Sequence, residues 1–481
     1  MPLVRRCQDD SHFWRNSAVP CTGTRIGQSC RLRSHLNAIH KNFFLDSRII
    51  YAVSDSRLHL AGSIRTLIMN PIFSPSSPRT DGLCQVGIAV VVRLMTLCAA
   101  AVTPGLGRAD YYSEIPSTTW GKVGPASNMA QPPSGIAAFS GMAIDERNAQ
   151  ILLFGGGHGD YWGNEVWAWK MVERTWRKMY EPDALNNLSL AACQASVDNT
   201  NRPGMWVPSG RPISRHTYDG VEYISHLGLM MAGGASTYSG ANEYLWSDTR
   251  ASGTGCYFNS PGDVWFYNPS TNAWSYKGSS QTDKTRVPVG VSAYDSTTGK
   301  VVVLGRSANY EMATYVYDPT ANVFQQKFPS TRVPWHGEIA ATYDSKRHYV
   351  LFFGGDYPKS DKLWAYSVDQ NTWLDLSPAT GLHPAPGGGY GIAYDSAADV
   401  IVVYGQSGLW VYDYATEAWS QPKTAISPQM TSQVHGKLKY DRERNVTFLI
   451  YSNSQWQIEV WAYRHKAVLP RSSPRSLRPP T

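Results

Sequence analysis

The stretch "FGGGHGDYWGNEVWAW", Phe154–Trp169, decides how this chain is read. An apolar run closes in three glycines, His158 follows at once, Tyr161 and Trp162 come next, and a second strand-like segment ends in Trp169. Short apolar runs bounded by glycine read as β-strands. Whether this is a single decorated turn or one unit of a repeat depends on whether the pattern returns.

It returns six times. A strand ending in Tyr-Asp or a near match occurs at Ile144-Asp145, Tyr218-Asp219, Tyr294-Asp295, Tyr343-Asp344, Tyr394-Asp395 and Tyr440-Asp441. A second strand follows each, closing in Gly155-Gly156, Gly233-Gly234 and Gly354-Gly355, with weaker versions at Gly305-Arg306 and Gly405-Gln406. A third strand ends in an aromatic with another aromatic seven residues on, at Trp169 and Trp176, Tyr267 and Trp274, Tyr317 and Phe324, Tyr366 and Trp373, and Tyr412 and Trp419. With turns such as "NPSTN" and "DPTAN" between them, these strands describe four-stranded antiparallel units of about 40–50 residues.

The Gly-Gly pair and the spaced aromatics resemble the kelch repeat over about residues 115–464. That resemblance implies an all-β, six-bladed β-propeller at 110–464. The sixth copy lacks the second aromatic after Tyr463, whereas "STTWGKVGP" around Trp120 precedes the first copy as an orphan strand. Trp120 is therefore expected to complete the sixth blade and close the ring, removing two exposed edges.

The chain carries 44 Lys and Arg against 37 Asp and Glu. Residues 1–109 hold 13 Lys and Arg against 5 Asp, so the positive excess lies ahead of the repeats. The repeats themselves give no basis for nucleic-acid binding. The first 109 residues show no periodicity. Within them, 86–109 has the apolar run and small-residue end of a secretory signal peptide cleaved after Ala109, with translation expected to start internally, near Met69 or Val92. Arg93 divides the apolar run, so no membrane span is expected. The basic segment 465–481 reads as a disordered tail. Secretion or periplasmic export agrees with the cysteines: five precede Ala109, and Cys193 and Cys256 each fall in one of two long insertions, where a disulfide between them is expected.

In an antiparallel blade the loop after the second strand and the segment leading into the first lie at the same end. His158 follows a second strand, and His216, His336 and His435 precede first strands, so all four are expected at one mouth, where a rigid scaffold presents functional loops. Arg215 has no counterpart in other copies, and Arg306 replaces the second glycine of its pair. Tyr161, Trp162 and Trp335 lie off the aromatic pattern and suit stacking on sugar rings. Tyr218 shares its repeat slot with Tyr294, Tyr343, Tyr394 and Tyr440, so it reads as framework. The expected catalytic set is His158, Tyr161, Arg215, His216 and His336, with Arg306, Trp162, Trp335 and His435 binding substrate.

Arginine to neutralise a carboxylate, with histidine or tyrosine to move protons, suits β-elimination on a uronic-acid polysaccharide. Propeller polysaccharide lyases share this architecture, an analogy of fold. A non-catalytic glycan- or protein-binding module is the alternative. A copper oxidase is also open, since galactose oxidase has a kelch-like propeller, as is a sugar-acid isomerase. The lyase reading requires no cofactor, and a metal held by the mouth histidines stays open. The expected partner is an acidic polysaccharide or other glycan, acted on by a monomer.

Overall fold

The computed structural model describes residues 111–467 apart from 127–128, 157–160, 162, 184–196, 199–204, 234–262, 280–289, 308, 310 and 430–433. His158, Trp162, Cys193, Cys256, the expected signal peptide and most of the basic tail lie outside the described residues.

Each repeat folds as one four-stranded antiparallel sheet. Blade 1 comprises Gly141–Asp145, Gln150–Phe154, Trp167–Lys170 and Thr175–Lys178. Blade 2 comprises Val221–Ile224, Leu229–Ala232, Asp263–Asn268 and Ala273–Ser279. Blade 3 comprises Ser292–Asp295, Lys300–Arg306, Met312–Asp318 and Val323–Lys327, and blade 4 comprises Ala340–Asp344, Tyr349–Phe353, Leu363–Ser367 and Thr372–Asp375. Blade 5 comprises Gly391–Asp395, Val400–Gly405, Gly408–Asp413 and Ala418–Ser420. Blade 6 comprises Leu438–Asp441, Val446–Ser452 and Ile458–Arg464, and Thr119–Gly124 is its outer strand. The first strand of every blade touches that of the next, and blade 6 returns to blade 1, so the protein is a closed six-bladed β-propeller.

The seven-residue aromatic spacing has a simple geometric cause: the two aromatics face each other across the outer hairpin of the blade. Trp169 pairs with Trp176, Tyr267 with Trp274, Tyr317 with Phe324, Tyr366 with Trp373 and Tyr412 with Trp419. In blade 6 the partner of Tyr463 is Trp120, their ring centroids 5.2 Å apart. The turns between them place Asn272, Asn322 and Asn371 at φ 54, 56 and 51, a left-handed region that asparagine tolerates. Each of these asparagines accepts a hydrogen bond from the tyrosine hydroxyl that leads into its turn. At the inner hairpins the Asp of Tyr-Asp accepts backbone N–H groups, as Asp295 does from Thr297 and Thr298.

The core consists of wedges, one between each pair of adjacent blades. Trp120 is fully buried in the wedge between blades 5 and 6, against Tyr404. This is why a short terminal strand can close the ring: it completes a hydrogen-bonded edge and fills an apolar gap at once.

One expected register is corrected. The first strand of blade 2 is Val221–Ile224, so the residue matching Tyr294 and Tyr343 is Tyr223. Tyr218-Asp219 lies in the segment leading into that strand and is not part of the repeat slot. One insertion precedes this blade and the other separates its second strand from its third. The earlier one contains a small sheet of Val197–Asp198, Met205–Trp206 and Arg211–Pro212.

Candidate functional site

The glycines of the opening stretch bring two segments into contact. Gly155, at φ 136, lies so near Thr217 and Ser140 that a Cβ would come within 2.7 and 2.8 Å of their side-chain atoms. A side chain there would drive the loop after the second strand of blade 1 away from the segment leading into blade 2. The Thr217 hydroxyl joins the same place: it accepts from Gly141 N–H at 2.9 Å and donates to the Phe154 carbonyl at 3.2 Å. The loop and the lead-in segments thus share one end of the propeller.

Arg215, His216 and Tyr218 stand on that lead-in segment, and His435 stands on the one entering blade 6. The His216 ring stacks on Phe139 at 4.8 Å between centroids, and His435 approaches the same phenylalanine at 5.9 Å. Tyr218 meets both imidazoles edge-on, 5.4 Å from His216 and 5.2 Å from His435. Its hydroxyl is 3.3 Å from His216 Nδ1, and which of the two donates depends on the imidazole tautomer. His216 and His435 are 1% and 0% exposed. Burial pushes the His435 pKa well below that of ordinary histidine, and Lys437 and His216 push it the same way, so the ring is neutral.

Lys437 continues the cluster inward. Its ammonium, wholly buried, donates to the Ser140 carbonyl at 3.1 Å. Burial brings its pKa down to about 7, against the opposing pull of Asp219.

Asp219 plugs the channel below. Its backbone bonds to Gly290 and Ser292 of blade 3, and its carboxylate accepts from Ala341 N–H of blade 4 at 2.5 Å and from Lys439 of blade 6 at 2.9 Å. Lys439 also donates to Glu222 at 2.9 Å. Burial works against the Lys439 ammonium, but the two carboxylates overcome it and hold its pKa above that of an ordinary lysine. Burial lifts Glu222 to about 7. Beyond this pair the channel opens at the other end into a cavity of about 250 Å³ walled by Tyr294, Tyr343, Tyr394 and Tyr440.

Several lead-in residues hold left-handed backbone. Phe139, Tyr218, Glu338 and His435 have φ of 49, 44, 56 and 48, whereas blade 5 meets the same requirement with Gly389 at φ 73. Non-glycine residues in this region are strained, and such strain gathers at functional sites.

The other expected residues divide. Tyr161 is beside the cluster: its carbonyl accepts from Ser214, its hydroxyl donates to Glu165, and burial with the Glu165 charge raises its pKa. Arg215 is buried, its Nε donating to the Ile213 carbonyl at 3.3 Å and its guanidinium 5.9 Å from the Trp265 ring. His336 sits in the lead-in of blade 4, with Nδ1 2.8 Å from the Pro358 carbonyl, so it fastens a loop of its own blade. Trp335 packs against the core between blades 3 and 4 and is only half-buried. Arg306 is exposed at the end of its strand. Among the described residues no three His, Cys, Asp or Glu side chains are grouped to hold a metal ion.

No protein-family model matches the chain, and no curated protein matches it. The propeller is established by its strand pairing.

Proposed function

We propose that this is an exported kelch-type enzyme that cleaves an acidic polysaccharide by β-elimination. The observation that carries the reading is the Tyr218 hydroxyl 3.3 Å from His216 Nδ1, in a cluster that also holds the neutral His435 and a lysine whose pKa is about 7. In the reaction a base takes the proton α to a uronate carboxyl, the electron pair forms the ring double bond, and the glycosidic oxygen leaves with a proton from an acid. A hydrogen-bonded imidazole and phenol supply such a base and acid. The apolar run and small-residue end of 86–109 support export.

A specific observation favours a second reading. His216 and His435 are packed like core residues, which suits a glycan-binding module in which they set the shape of the mouth. Incubation with a panel of uronic-acid polysaccharides separates the two. Lyase action gives a rise in ultraviolet absorbance from the unsaturated product, whereas binding to a polymer with no such rise identifies the module.

A further inference from the structure

Blade 6 carries a feature that the reaction does not use. Trp456 is 74% exposed, the one exposed tryptophan among the described residues. It sits between the strands Val446–Ser452 and Ile458–Arg464 with φ 58, a region that a bulky side chain rarely adopts. In blade 5 the left-handed residue at the corresponding hairpin is Gly408, the first residue of the third strand, at φ 87. The Trp456 turn is firmly built: Asn453 Oδ1 accepts from the N–H groups of Gln455 and Gln457, Asn453 N–H donates to the Gln457 carbonyl, and Trp456 N–H donates to the Asn453 carbonyl. A rigid turn thus holds an indole in water, against both its solvation and its backbone preference.

Asn453, Ser454 and Gln455 of the same turn help to line a cleft of about 650 Å³, within the usual range for ligand sites, with Ile426, Gln429 and Glu459 among its other walls. Glu459 is fixed in its wall by four donors: Lys122, Asn453, Tyr451 and Trp461. Burial opposes its charge, but these donors prevail and hold its pKa below the usual carboxylate value. The cleft lies between the segment leading into blade 6 and the loop after that blade's second strand, so it opens at the same end as His435.

We infer that Trp456 and this cleft form a sugar-binding subsite that takes a pyranose ring of a glycan chain, remote from the bond that reacts. The indole offers a flat apolar face for the C–H side of the ring, and the amide, hydroxyl and carboxylate groups offer donors and acceptors for its hydroxyls. Lys122 and Glu459 balance each other's charge, so the subsite does not demand an acidic sugar.

The inference rests on the glycan reading, and the test separates the two. Wild type and Trp456→Ala are titrated with oligosaccharides of increasing length cut from whichever polymer the wild type binds, with affinity and turnover measured in parallel. Trp456→Ala should keep the wild-type melting temperature and the wild-type values on the shortest substrate, and bind long chains at least about tenfold more weakly. Equal affinity of wild type and Trp456→Ala for long chains overturns the subsite. Binding without turnover by the wild type overturns the lyase reading and leaves the Trp456 comparison decisive. No binding of any glycan by the wild type overturns both.

Discussion

Tyr218 shows why single residues in a repeat must be placed before they are interpreted. By sequence it matches a framework slot; in the structure that slot belongs to Tyr223, and Tyr218 is held left-handed between two imidazoles. Tyr218→Phe keeps the ring and removes the hydroxyl. Turnover should fall about 10²- to 10⁴-fold if it transfers a proton, while the lost hydrogen bond costs only about 1 kcal/mol of stability. Unchanged turnover would remove it from the mechanism. His216→Ala is a poorer probe, because His216 is buried against Phe139 and its loss also leaves a cavity. Lys437 gives a test without substrate. Its folded pKa of about 7 lies below the value of about 10.4 for a free lysine, so between these the unfolded chain binds the extra proton. Stability should therefore rise with pH from about 7 to about 10.4. In Lys437→Met this rise should disappear, as read by denaturant titration across that range. A rise of the same size in the variant would show that another group is responsible. His435 acts in the same sense at lower pH: its depressed folded value means that stability is lost as pH falls below about 6.5.

At the scale of the strand, five blades and the closing sixth were legible because the seven-residue spacing encodes a hairpin, a local geometry that sequence records directly. Trp120 could be assigned to blade 6 for the same reason: a missing partner for Tyr463 and an orphan tryptophan point to each other across the whole chain. What misled was blade 2, where the insertion ends in a Tyr-Asp that imitates the repeat. The inward Lys439 was also readable as a departure from its repeat slot. The slot of Lys439 holds Ala143, Ala293, Thr342 and Ala393 in other blades; Glu222 fills it in blade 2 only in the observed register, where the two departures face each other across the channel and form an ion pair. The reach of His435 to Phe139 could not be read, because it depends on how the segments leading into different blades cross at the mouth. Removing residues through Gly124 should leave the third strand of blade 6 as an open edge and empty the space of Trp120. Self-association in size-exclusion chromatography and a lower melting temperature are expected. A monomeric variant of wild-type stability would mean that the ring does not depend on this closure.

For the whole molecule the question is what makes six wedge-shaped cores behave as one body. The first strands touch around the ring, but four of the six meet the channel with Ala or Thr and contribute little apolar area there. Asp219 supplies a link through the centre, since one residue of blade 2 bonds to blades 3, 4 and 6. The close approach of Gly436, where a Cβ would lie 2.4 Å from Asp219 Oδ1, shows how tightly blade 6 is drawn in around it. Asp219→Ala would strand the Ala341 N–H and leave Lys439 with Glu222 alone. Breaking a buried pair from one side costs about 3–5 kcal/mol. Asp219→Asn keeps an acceptor for Ala341 and loses only the charge, so it should fall between wild type and Asp219→Ala. Because the lost side-chain bonds join blades 2, 4 and 6, the alanine variant should also unfold over a broader range, with Trp fluorescence and far-ultraviolet dichroism no longer coincident. A single sharp transition at the wild-type temperature would show that the ring of first strands holds the blades together without the central link.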